Sequence, residues 1–101
     1  MMYEAQIIGS YKLTDIGLVK IESNNLTPIA IGNSDILLVG DLAVAIGHPL
    51  TLGAAPTVTT GIVSALERRL DVGGQDMNSS VTLFGLIQTD APITRGSSGG
   101  A

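Results

Sequence analysis

Apolar runs in this chain are short, and glycine, proline, asparagine, aspartate or serine closes each of them. That punctuation leaves no room for a long amphipathic helix and suits an all-β sandwich or barrel. The runs place strands at about residues 4–9, 16–22, 28–31, 41–46, 57–65 and 82–89. In the fourth run Leu42, Val44 and Ile46 share one face, and Ala43 and Ala45 the other. Both sets are apolar, which predicts a strand covered on both sides. In the fifth, Val58, Thr60 and Ile62 face opposite to Thr57, Thr59, Gly61 and Val63. Asn33-Ser34-Asp35 and Val39-Gly40-Asp41 read as turns, with at most one turn of helix at Leu37–Val39. The stretch from Gly73 to Ser80 reads as an exposed loop.

Composition narrows the function. The chain has 101 residues, enough for one small domain, with 45% hydrophobic and 14% charged residues. Soluble domains average about 25% charged, so this chain is mostly core or belongs to a larger core. Aromatic residues make up only 3%, so Val, Ile, Leu and Thr supply the apolar surface, a mix that favours strands. The net charge of -4 argues against a nucleic-acid partner, whose phosphates need a surplus of Lys and Arg. Arg68 and Arg69, the adjacent basic pair, read as a solvated loop or strand end. The absence of cysteine excludes disulfides, thiolate metal sites and a Cys nucleophile. Leu42–Leu66 carries no formal charge and is long enough to span a bilayer. Pro49 and Pro56 break that stretch, Gly47, Gly53 and Gly61 loosen it, and four threonines and His48 make it polar, so consecutive strands are the better reading. The first residues, Met1-Met2-Tyr3-Glu4, do not read as a signal peptide.

Three local patterns bear on chemistry. Gly96-Ser97-Ser98-Gly99-Gly100 surrounds a serine with glycines, which expose backbone N–H groups and admit a substrate backbone. A phosphate loop would use similar glycines, but its lysine and helix are missing. Read on composition alone, Thr94–Ala101 is a flexible Gly/Ser tail or linker. Asp15 leads directly into an apolar strand, either as a turn former or as a buried carboxylate that orients a histidine. His48, the only histidine, precedes a proline and reads as structural; no second His and no Cys completes a zinc site.

In order along the chain stand Thr14-Asp15-Ile16, Ile31-Gly32-Asn33-Ser34-Asp35, Val39-Gly40-Asp41, Ala45-Ile46-Gly47-His48-Pro49, Thr57–Ala65, Ile87-Gln88-Thr89-Asp90-Ala91-Pro92-Ile93 and Gly96–Gly100. That succession, from about Tyr3 to Ala101, resembles the protease domain of HtrA (Do-like) serine peptidases. The resemblance implies an all-β, partial chymotrypsin-like double β-barrel: the end of the first barrel over about residues 1–30, and the second barrel over about 31–101 up to the nucleophile loop. It implies Asp15 as the triad acid, Ser98 as the nucleophile, and the N–H groups of Gly96 and Ser98 as the oxyanion hole. Ile93 matches a position lining an apolar specificity pocket, and Thr94 and Arg95 lie on the loop that forms the oxyanion hole. Ser97 departs from the family, which usually has Asn there.

His48 departs too, because the family order is His, Asp, Ser, and His48 follows Asp15. The resemblance therefore puts the base before Met1, puts further strands after Ala101, and makes these 101 residues by themselves inactive, with Ser98 on an unclamped loop. It implies no cofactor or metal, unfolded or misfolded polypeptides as substrates, a homotrimeric full-length parent, and the periplasm or cell envelope as the location. Two other readings stand beside it. One is a degenerate protease or non-catalytic module that binds polypeptides; the other is a plain β domain with a Gly/Ser tail.

Overall fold

The computed structural model describes residues 2–49, 55–73 and 80–101. Strands dominate, in the order β1 (Ala5–Tyr11), β2 (Ile16–Ile21), β3 (Leu42–Gly47), β4 (Thr57–Val72) and β5 (Val81–Thr89). Among the described residues the one helical element is a short 3₁₀ turn at Ser34–Ile36, started by Asn33, whose side chain accepts from the Asp35 N–H at 3.0 Å. The fold is thus all-β with open sheets, as expected of a partial barrel. The uncharged Leu42–Leu66 stretch contributes β3 and much of β4, and no described helix is long and apolar enough to cross a membrane.

The chain forms two compact units: residues up to Gly32 with Arg69–Phe84, and Asn33–Arg68 with Gly85–Ala101. The first unit contains the antiparallel hairpin β1–β2, with Ala5 opposite Ile21 and Tyr11 opposite Ile16. A bulge lies between Ile7 and Gly9, which adds local twist. Every residue of β1 is exposed, and so is every residue of β2 except Ile21.

In the second unit β3 pairs antiparallel with β4, from Leu42 opposite Ile62 to Gly47 opposite Thr57. Gly40 turns the chain into β3 at a φ of 99°, and its N–H donates to the Val63 carbonyl at 2.8 Å. The predicted alternation is present, but not the predicted cover. Ala43, Ala45, Thr57, Thr59 and Gly61 lie on the less exposed face with the buried Val63. Leu42, Val44, Ile46, Val58 and Ile62 lie on the other, with Leu42 76% exposed. The small residues admit a close-packed layer of chain on their side; on the other, Ile46 and Ile62 are still 44% and 43% exposed. Among the described residues Val63 and Ala91 are the buried hydrophobic side chains, and Pro49 is buried as well.

Two expectations need correction. Residues 28–31 form no strand: Pro28 has no N–H to give a ladder, and Ile29 and Ile31 remain exposed. The fifth run continues well past residue 65, so Arg68 and Arg69 lie inside β4 rather than in a loop. Both stay solvated, and the Arg69–Asp71 ion pair at 3.7 Å is exposed and contributes little. The backbone does break within that long strand, at Glu67 with a φ of 53°, near Gly85 with a φ of 66° on β5. Most of the predicted 73–80 loop lies outside the described residues.

Candidate active site

The Gly/Ser close of the chain is folded, not a tail. Two tight turns follow one another. In the first, the Ser97 N–H donates to the Thr94 carbonyl at 3.0 Å, with Gly96 at a φ of 94° in its third position. In the second, the Gly100 N–H donates to the Ser97 carbonyl at 2.9 Å, with Gly99 at a φ of 80° in the same place. A turn that needs positive φ at its third residue selects glycine there, which explains both positions. Ser98 thereby occupies the exposed second position of the second turn. Among the described residues no hydrogen bond engages its hydroxyl or the N–H groups of Gly96 and Ser98.

The double turn is fastened to the small-residue face of the sheet. The Ile46 N–H on β3 donates to the Ala101 carbonyl at 2.7 Å. A Cβ built at Gly47 would lie 2.7 Å from both Cβ and Oγ of Ser97. One built at Gly100 would strike the Ile46 carbonyl and come within 3.1 Å of the Gly47 Cα. Glycine at 47 and 100 is therefore what lets loop and strand touch. On the approach to the loop, the Thr59 hydroxyl donates to the Pro92 carbonyl at 2.8 Å. The loop expected to be unclamped is clamped at both ends.

Beside it lies a cleft of about 370 Å³ whose walls include Ala43, Ala45, Thr59, Ile93, Ser97 and Gly100. Ile93 is 60% exposed and contributes to that apolar wall. Ser98 does not line the cleft, but its neighbours Ser97 and Gly100 do. Thus Ile93 and the Ser98 turn belong to one local structure in the second unit. Asp15 belongs to the first unit, at the end of the four-residue β1–β2 turn, with a φ of 56°. That left-handed conformation is one aspartate tolerates. The Thr14 N–H donates to the Tyr11 carbonyl at 3.3 Å and closes the turn. Asp15 is exposed, not buried, because it stands at a hairpin tip; a small cleft of about 260 Å³ adjoins it, lined also by Tyr11 and Lys12. His48 is exposed just past the end of β3. The described residues contain no group of three or more His, Cys, Asp or Glu able to hold a metal ion.

Sequence reasoning missed Thr59, Thr89 and Asp90. The Asp90 carboxylate accepts from the Ile62 N–H at 2.7 Å, and the Thr89 hydroxyl donates to the Ile62 carbonyl at 2.8 Å. The available signal was two polar residues, Thr89-Asp90, standing between an apolar strand and Ala91-Pro92.

Residues 2–101 match the family model of the trypsin-like peptidase domain. The periplasmic pH-dependent serine endoprotease DegQ of Escherichia coli (strain K12) is 50% identical over 103 residues, covering 98% of this chain and 20% of DegQ. The solved structure of the HtrA-type protease AlgW with a decapeptide superposes with a TM-score of 0.80 at 41% identity, over 98% of this chain and 28% of AlgW. The crystal structure of Deg5 gives 0.78 at 35% identity, over 97% of this chain and 44% of Deg5. The chain spans about a fifth of the length of the curated relatives it matches.

Proposed function

Because the chain belongs to the trypsin-like peptidase family, on its HtrA (Do-like) branch, we propose that it is part of a serine endopeptidase whose nucleophile is Ser98. The observation that carries this reading is the exposed Ser98 hydroxyl on a glycine-shaped turn fastened to a sheet. Attack of Ser98 Oγ on a peptide carbonyl carbon forms a tetrahedral intermediate. Its negative oxygen needs N–H donors fixed beforehand, and the backbone amides of Gly96 and Ser98 are assigned that role. Collapse of the intermediate breaks the C–N bond, releases the amine with a proton, and leaves an acyl ester on Ser98 that water hydrolyses. The Ser98 proton must go to a base, which the family supplies as a histidine held by a carboxylate. Asp15 is assigned as that carboxylate.

Polypeptides are the proposed substrates, with small aliphatic side chains entering an apolar pocket that Ile93 helps to line. AlgW, the relative solved with a decapeptide, supports a peptide ligand. Relatives named as periplasmic support an extracytoplasmic location for this protein. Residues 1–30 are assigned to the end of the first barrel and 31–101 to the second, with a homotrimer as the assembly of the full-length protein.

A fluorophosphonate probe tests the nucleophile without needing turnover. Labelling is expected at Ser98, about a thousand-fold faster than at surface serines, the scale of catalysis an oxyanion hole retains alone. Ser98→Ala should remove it. Labelling spread over other serines and unchanged by Ser98→Ala contradicts the assignment. A second reading is polypeptide binding without cleavage; peptide binding that persists without any labelling would select it.

A further inference from the structure

We infer that Thr89 and Asp90 are positioning residues, which release the chain from the sheet and aim the loop that carries Ser98. Strand β5 lies beside β4 and stops at Thr89. The next residues leave the sheet, and Pro92 has no N–H with which to continue a ladder. A backbone that departs mid-sheet leaves the facing strand with an unpaired N–H and C=O, which must find partners.

Here two consecutive side chains provide them. Both polar backbone groups of Ile62 on β4 are met: the N–H by the Asp90 carboxylate at 2.7 Å, the carbonyl by the Thr89 hydroxyl at 2.8 Å. The same Thr89 oxygen accepts from the Ala91 N–H at 3.1 Å, which fixes the direction in which the chain departs. Side chains thus complete the ladder where the backbone turns away. Gly61 is the socket for this device, because a Cβ there would fall on Asp90 Oδ1 and the Ala91 nitrogen. One step on, Thr59 holds the Pro92 carbonyl. Buried Ala91 lies between these ties, so the loop leaves the sheet from a fixed point.

The inference deepens the proposed function and rests on it only for the statement that Ser98 is a nucleophile. Its test therefore reads structure first. Amide hydrogen exchange is measured on the full 101-residue chain, unaltered and with Asp90→Ala or Asp90→Asn. Asparagine keeps an oxygen acceptor for the Ile62 N–H. Asp90→Ala is expected to speed exchange about tenfold at Ile62 and also at Ser97 and Gly100, the worth of one charge-assisted hydrogen bond. Val19 on β2 should be unaffected, and Asp90→Asn should restore most of the protection.

Faster exchange at Ile62 alone, or an Asp90→Asn variant as loose as Asp90→Ala, overturns the inference. If Asp90→Ala melts the whole sheet, so that Val63 exchanges as fast as Ser97, Thr59→Val decides. It removes only the tie to Pro92 and should loosen Ser97 and Gly100 while Val63 stays protected; no change at Ser97 and Gly100 counts against the inference. Fluorophosphonate labelling of Ser98 should slow in step with loop exchange. A chain that never labels at Ser98 removes the nucleophile assignment, while the exchange pattern still judges the anchor.

Discussion

Turnover of an unfolded polypeptide by these 101 residues is expected to fall about a million-fold below that of a complete triad, the loss that follows removal of a triad base. Ser98 Oγ attacks well only if its proton is taken as the new bond forms. The sequence contains one histidine, His48. It follows Asp15 in the chain, against the family order, and sits exposed just past β3. It is therefore not assigned as the base, and His48→Ala should leave the residual rate unchanged. An oxyanion hole of the Gly96 and Ser98 amides, as proposed, would leave a slow reaction above the uncatalysed one by about 10³–10⁴-fold. Release of fluorescent peptides from a labelled, unfolded protein measures it. Rapid hydrolysis that persists through purification and vanishes in Ser98→Ala contradicts this expectation.

Gly61→Ala should cost about 2–4 kcal/mol of stability, although it adds a single methyl group. Glycine within a strand is normally a weakness, and alanine there would ordinarily be neutral or mildly stabilising. At Gly61 the sign reverses. The added Cβ meets Asp90 Oδ1 and the Ala91 nitrogen, and lies within 2.8 Å of the Ala91 Cα. Two of these are backbone atoms and cannot rotate aside, so β4 or the loop entrance must shift. A shift of either breaks the bond between the Ile62 N–H and Asp90. Gly17, on β2, is the control: a Cβ there meets nothing within 4 Å, and Gly17→Ala should change stability by no more than about 0.5–1 kcal/mol. Urea unfolding of both variants checks the contrast. A Gly61→Ala midpoint as close to the parent's as that of Gly17→Ala would show that the contact is relieved at little cost.

What the sequence made legible follows from how local each signal is. Alternation located β3, and Asn33, Gly40 and Asp15 marked turns, because each acts through its own backbone. The reach of β4 to Val72 was hidden, since Leu66–Val72 mixes charged and apolar residues without clean alternation, and it holds no glycine or proline to mark where a strand ends. Residues 28–31 looked like a strand because Ile29 and Ile31 are apolar, yet pairing depends on Pro28, which cannot donate. The Gly/Ser close illustrates the hardest case. Composition alone makes Thr94–Ala101 a linker, and the ties that fold it come from residues as distant as Ile46 and Thr59. Family resemblance marked Ser98, while Thr89 and Asp90 emerged only from the hydrogen bonds to Ile62.

The protease reading requires the Asp15 carboxylate and the Ser98 hydroxyl to be close enough for one imidazole to bridge them, about 8 Å by two ordinary hydrogen bonds and a ring. With no cysteine in the chain, Asp15→Cys can carry a single nitroxide label. Paramagnetic broadening of amide signals then reports which residues lie near position 15. Strong broadening across Gly96–Gly100 is the predicted result; sharp, unaffected signals from that loop in a folded, fully labelled chain would contradict the account.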